Sequence, residues 1–230
     1  MPKVIKKKVT KPAKTEDGVR NVIRDVQGFT REKQRVLFPI VIAVAIICLG
    51  AVGFSMYRSS MQKEAAALEY EGYKLYYGLY QKQPFANEER YQKALEQFTK
   101  AYAKRKSPVS LFYIASSYYE LGKLDDSLKT LNELNERFPD DERFTPLSYY
   151  KMAVIQVRKG DKEAALKLLD SLYGYRSESF KDLALMESAG ILDSMGKKDE
   201  AMKKYEELTK NFPSSPFAAD AKTKLEEKKS

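Results

Sequence analysis

The hydrophobic positions of this chain follow two regimes. From Leu37 to Tyr57, twenty-one consecutive residues carry no charge. A helix of that length spans about 31 Å, matching the roughly 30 Å hydrocarbon core of a bilayer. Pro39 sits near the start of this run, where a first helical turn tolerates its missing N–H. Beyond Tyr57 the apolar residues recur at spacings of three and four, and strand-like alternation is lacking. No proline follows Tyr57 until Pro84, and Gln62–Leu68 consists of strong helix formers. The apolar helix is therefore expected to run on into the polar region.

Self-similarity organises the rest. The stretch SLFYIASSYYELGKLDDSLKTLNELNERFPD carries Leu111-x2-Ile114-Ala115-x2-Tyr118, then Gly122, Ser127-x3-Leu131 and Pro139. A second copy reads Tyr149-x2-Met152-Ala153-x2-Gln156, Gly160, Ala165-x3-Leu169. A third reads Leu185-x2-Ser188-Ala189-x2-Leu192, Gly196, Ala201-x3-Tyr205 and Pro213. A weaker, earlier copy keeps Ala94-x3-Phe98 and Ala101, with its first helix near Glu64–Gln81 and a longer loop around Pro84. This is the spacing of a tetratricopeptide repeat, with Leu111 in the usual tryptophan position. Small residues let the helices of a pair approach, and glycine suits the tight turn joining them. One hairpin cannot bury its apolar face alone, so neighbours stack. The predicted class is all-α: a single N-terminal transmembrane helix, then an α-solenoid of helical hairpins closed by a C-terminal capping helix. The divisions are a basic cytoplasmic tail over 1–36, the transmembrane helix over 37–57, an anchor-continuing helix with a degenerate first repeat over 58–107, repeats over 108–141, 146–179 and 182–215, and the cap over 216–230. Ser214 or Ser215 is the expected N-cap of that last helix, with Pro216 in its first turn.

Charge changes the reading of the apolar run. Residues 1–36 hold 11 Lys/Arg and 4 Asp/Glu, whereas the other 194 hold 30 and 28. A basic tail beside an apolar run sets topology, with the tail in the cytoplasm and the repeats outside. A cleaved signal peptide fits poorly, because 36 residues precede the run and its core exceeds the usual 7–15 residues. A lipoprotein signal needs a small residue before the cysteine, and Ile47 precedes Cys48. The expected location is the bacterial cell (inner) membrane as a single-pass protein, its repeats periplasmic. Within the tail, Val19, Val22, Ile23 and Val26 follow helical spacing, with Gly28 as a stop. They form either a short helix on the anionic leaflet or part of a disordered basic tail.

Composition narrows the chemistry. There is no histidine and one cysteine, which excludes histidine triads, His or paired-Cys zinc sites and intrachain disulfides. The repeat region is nearly charge-balanced, which argues against nucleic acid as a partner. Asp125/Asp126 and Asp140/Asp141 fall at helix starts and inter-repeat loops, where acids cap and solvate. No nucleophile, base or phosphate loop accompanies them, so no enzyme, catalytic residue, metal or cofactor is expected.

The first helices of the pairs should line the inner face of the solenoid. With Pro108, Pro146 and Asp182 as first positions, the second, fifth, ninth and twelfth positions face it. They are Val109, Phe112, Ser116 and Tyr119; Leu147, Tyr150, Val154 and Val157; Leu183, Met186, Gly190 and Asp193. Lys151 and Arg158 stand at its rim, placed to meet acidic groups. The candidate groove residues are thus Phe112, Tyr119, Tyr150, Lys151, Val154, Arg158, Met186 and Asp193. The ninth positions lack the asparagine with which some such domains clamp a C-terminal carboxylate. Tyr70, Tyr73, Tyr77 and Tyr80 share one helical face, which is read as core packing of the first hairpin in preference to a partner-binding stripe.

With its basic tail, single span and outward repeats, the chain resembles YfgM-like ancillary subunits of the Sec translocon. Its endings NERFPDDERF and KNFPSSPFAADAKTKLEE also resemble those of CpoB/YbgF- and BamD-type envelope proteins. The resemblance implies a membrane-tethered adaptor with protein partners: translocon subunits, secreted clients handed to periplasmic chaperones, or envelope complexes. A second implied role is an envelope-assembly or division scaffold.

Overall fold

The computed structural model describes the backbone of residues 15–79 and 86–227, and the side chains of 36–79 and 86–227. Among the described residues the regular elements are helices: α1 (Thr15–Tyr77), α2 (Asn87–Lys104), α3 (Pro108–Glu120), α4 (Leu124–Arg137), α5 (Phe144–Lys159), α6 (Lys162–Tyr173), α7 (Lys181–Ser194), α8 (Lys198–Asn211) and α9 (Ala218–Glu227). The all-helical hairpin architecture expected from the periodicity is present. The chain divides into two compact units, residues 1–59 and 60–230.

In the first unit, α1 runs through Gly28 without stopping and carries Pro39 inside it. Both findings correct the sequence reading. A glycine inside a helix costs only about 1 kcal/mol, too little to end a long one. The stretch from Val36 meets the length and hydropathy of a membrane span, with mean hydropathy 2.8 and none of its apolar window buried. Cys48 is exposed within it. The side chains of the Val19–Val26 stripe and of Tyr80 lie outside the described residues.

The second unit is a stack of hairpins. Gly78, Gly122, Gly160 and Gly196 all adopt positive φ, from 66° to 85°. Each turn repeats one hydrogen-bond pattern: the glycine N–H donates three residues back, and the next N–H donates five back. Gly122 to Tyr119 and Lys123 to Tyr118 show it, as do Gly78 to Leu75 and Leu79 to Lys74. The first helix of the degenerate copy therefore ends as the others do. Gly72 serves packing instead, because a Cβ there would lie 2.9 Å from the Phe98 ring.

Each second helix presents a ridge of a small residue, a large one four on, and a third three further. The ridges are Ala94, Phe98, Ala101; Ser127, Leu131, Leu134; Ala165, Leu169, Leu172; and Ala201, Tyr205, Leu208, all buried. Three of them seat against the first helix of the following hairpin, in clusters that join Phe98 to Ile114, Leu131 to Met152 and Ile155, and Leu169 to Ala184 and Ile191. The fourth is covered by Ala218 and Ala221 of α9. That helix starts at Ala218, so Pro216 precedes it rather than opening it. Ser215 is held outside the helix: its hydroxyl donates to Asp182 at 2.6 Å and accepts from the Phe217 N–H.

Polar ties run between hairpins on the surface. Lys159 at the end of α5 pairs with Asp125 of α4 at 2.5 Å, and Lys197 in the α7–α8 turn pairs with Glu163 of α6 at 3.0 Å. The Tyr102 hydroxyl donates to Glu133 and the Tyr173 hydroxyl to Glu207, equivalent struts 2.8 and 2.5 Å long. Arg176 reaches Asp140, and Asp141 accepts from the backbone of Arg143 and Phe144 at the start of α5. Asp125, Asp140 and Asp141 thus act as ties and caps. Exposed ion pairs contribute roughly 0–1 kcal/mol each, whereas truncating a buried leucine costs roughly 2–5. The ridge dominates.

Gly160→Ala should lower stability by about 1 kcal/mol, because the turn needs positive φ though no atom lies within 4 Å of the new methyl. Gly190→Ala, inside α7 and equally open, should raise stability by roughly 0.5–1 kcal/mol. Paired thermal melts of the two variants check both signs.

Candidate partner-binding face

Helices α3, α5 and α7 lead successive hairpins, so positions counted back from each turn glycine fall on equivalent faces. Four candidate residues come together where α3 meets α5. The Lys151 ammonium lies 4.8 Å from the Tyr119 ring centre and 5.8 Å from that of Phe112. The Arg158 guanidinium lies 5.0 Å from the same Tyr119 ring. Two cations therefore share one tyrosine, and neither has an ion-pair partner among the described residues.

Lys151 is half-buried, and burial pulls its pKa below the usual lysine range, an effect partly offset by Glu120. The Glu120 carboxylate is engaged elsewhere, accepting the Tyr76 hydroxyl at 3.3 Å. Phe112 is fixed by an edge-on contact with Tyr113 and a tilted one with Phe144.

The other candidates are spread along the array. Tyr150 donates to Glu187 of α7 at 3.3 Å, and burial together with that carboxylate raises its pKa. Val154 is half-buried between these groups in sequence. Met186 packs against the last core cluster, and Asp193 is exposed; burial raises the pKa of Tyr205 and the hydrogen bond to Glu227 raises that of Lys224, with the Asp193 charge adding to each. The structure therefore brings Phe112, Tyr119, Lys151 and Arg158 into one cluster, while Met186 and Asp193 belong to the capped end. Ser116 is buried, with no hydrogen-bond partner for its hydroxyl among the described residues.

The sequence count missed Tyr113 and Glu187. Both hold the sixth position of their repeats, nine residues before the turn glycine, as Lys151 does, and that shared register was the available signal. Successive sixth positions are thus aromatic, basic and acidic.

The tyrosine stripe of α1 is the main correction. Tyr70, Tyr73 and Tyr77 are 58%, 41% and 49% exposed, so they do not form the core of the first hairpin. The buried or half-buried face of α1 is instead Ala65, Leu68, Gly72, Leu75 and Tyr76. The Tyr73 and Tyr77 rings lie 4.6 Å apart at a tilt of 50°, and both meet Tyr113 edge-on.

A separate recess of about 480 Å³ opens beside the final loops, lined by Phe180, Asp182, Phe212 and Pro216 among others. Its aromatic walls pack against the core clusters and Asp182 is bonded to Ser215, so these groups have structural work already. No group of three or more Asp, Glu or Cys that could hold a metal occurs among the described residues.

Known structures share this architecture at low identity. The Rap conjugation gene regulator of plasmid pLS20, solved with a Phr peptide, is 19% identical over 70% of this chain and 46% of its own, with TM-score 0.50. A MamA protein is 16% identical over 75% of this chain and 86% of its own, with TM-score 0.48. The TPR2AB-domain complex of yeast Sti1 with pHSP90 is 20% identical over 70% of each chain, with TM-score 0.43. No curated protein matches the chain. The family of tetratricopeptide repeat-like domains matches residues 34–227, which include the repeat array described above. The chain belongs to the tetratricopeptide repeat-like domain family, a class of helical repeat scaffolds for protein–protein interaction.

Proposed function

We propose that this chain is a non-enzymatic, membrane-tethered adaptor that binds other proteins through the face formed by α3, α5 and α7. The observation that carries the reading is the pair of cations over Tyr119. A half-buried ammonium that forms no ion pair and is offset only in part by the Glu120 charge is under-compensated, and a carboxylate arriving between Lys151 and Arg158 relieves that cost. Half-buried aromatic and apolar side chains on either side favour an extended segment in which one acidic residue sits among apolar ones. The peptide held by the Rap regulator supports the same use of the fold.

The tether rests on the uncharged run from Val36, and the basic tail favours a cytoplasmic N-terminus with the repeats on the far side. With the resemblance to YfgM-like proteins, this supports an ancillary role at a translocon, receiving clients and passing them to periplasmic chaperones.

In inverted membrane vesicles the repeats should resist added protease; digestion would place them in the cytoplasm and end the translocon reading. Photo-crosslinkers at Tyr119 and Tyr150 should capture translocon subunits and unfolded clients. Capture of one fixed envelope complex would instead favour an assembly scaffold.

Lys151→Met should weaken client binding yet stabilise the free protein at neutral pH. Because burial lowers the folded-state pKa of Lys151, its charge opposes folding below that pKa, and the cost is relieved as pH rises toward 10.5. The stability gap between variant and parent should therefore be widest near neutrality and close above the folded pKa. Denaturant melts from pH 7 to 10.5 measure it.

A further inference from the structure

The repeat register exposes an unfilled place at the first hairpin. Twelve, eight and five residues before each turn glycine lie the positions that meet the preceding hairpin. In α3 they are Ser110, Ile114 and Ser117; in α5 Ser148, Met152 and Ile155; in α7 Ala184, Ser188 and Ile191. All nine are buried, none more than 9% exposed. In α1 the same positions, counted from Gly78, are Ala66, Tyr70 and Tyr73, and all three are exposed. This is the stacking interface of the solenoid continued to α1, with no covering helix on it among the described residues.

The other hairpins show what such a helix looks like. In each case the cover is a second helix presenting a small residue, a large apolar residue four on and another residue three further, as in Ser127, Leu131 and Leu134. The chain has four such ridges among the described residues. Three are used between hairpins and the fourth lies under α9. No copy of this chain has a described ridge left to donate.

We infer that the α1 face at Ala66, Tyr70 and Tyr73 is a docking site for an amphipathic helix of a different protein, carrying a ridge of that small, large, apolar spacing. The helix takes the place that the second helix of the preceding hairpin takes elsewhere in the array. Tyrosine suits a face that is open when free and covered when bound, since its ring supplies apolar area and its hydroxyl remains hydrated. The rings are also preorganised, Tyr73 resting against Tyr77 and Tyr113. Terminal repeats ordinarily end on a polar surface, and this one does not. The surface is distinct from the Lys151 and Arg158 cluster and does not depend on its role.

Photoreactive residues at Tyr70, and separately at Tyr73, in the full-length protein in its native membranes test the inference, with Lys222 on the exposed side of α9 as control. The expected result is one protein crosslinked from both sites and not from Lys222, its crosslinked residues three, four or seven apart within one helix. A Tyr70→Glu/Tyr73→Glu variant, folded by circular dichroism, should give at least tenfold less of that adduct from a probe at Ala66. An adduct made of two copies of this chain, an adduct with lipid, crosslinks scattered over many proteins, or no adduct would each overturn the inference.

Discussion

The repeat unit depends on one packing event performed several times: the ridge of a second helix seats on the first helix of the next hairpin. Phe98, Leu131 and Leu169 are the large members that cross this gap. They fit because the residues around them are small. Ser127 and Ala165 let each pair close, Ala115 and Ala153 give room opposite, and Gly72 lets Phe98 approach the α1 backbone. The left-handed glycine at each turn sets the two helices of a pair side by side, so the ridge points along the array rather than into solvent. The lysine–carboxylate ties and tyrosine struts then link neighbouring hairpins at the surface, where water weakens them.

A structure held by nearest-neighbour packing distributes its side chains by register. One set of positions meets the hairpin before, another the hairpin after, and a third remains on the face of the leading helices. The first two sets are constrained to be small or apolar. The third is released from that duty, and here the sequence changes character from repeat to repeat: Tyr113, then Lys151, then Glu187 at one register. That freedom is what the proposed recognition uses. It explains why the fold is regular while the side-chain chemistry of this face is local, as in the two cations above Tyr119.

How much of this was legible in the sequence varied with the kind of signal. Turn glycines and small helix residues announced the hairpins, because steric demands at Gly122, Gly160 and Gly196 leave few alternatives. The α1 tyrosines misled because that helix carries two adjacent apolar faces, and spacing alone cannot tell which one is buried. Gly72 was the deciding residue, since only a close approach by a neighbouring side chain requires glycine there. Pro39, Gly28 and Pro216 misled for a related reason. Helix start and stop signals express local preferences of about 1–3 kcal/mol, and a long helix or a packed loop overrides them. The pairing of Lys151 with Tyr119 was out of reach, since it joins different hairpins and depends on how far each side chain extends.

The capping helix also fixes a number. Because α9 covers the last ridge with Ala218 and Ala221, the stack presents no bare ridge beyond α8. Repeat stacking between chains is the usual route from a solenoid to an open filament, and it requires both ends to be available. With one end sealed, any assembly built by continuing the stack stops at a single addition. On the inference drawn above, a helix seated on the α1 face completes the stack rather than extending it.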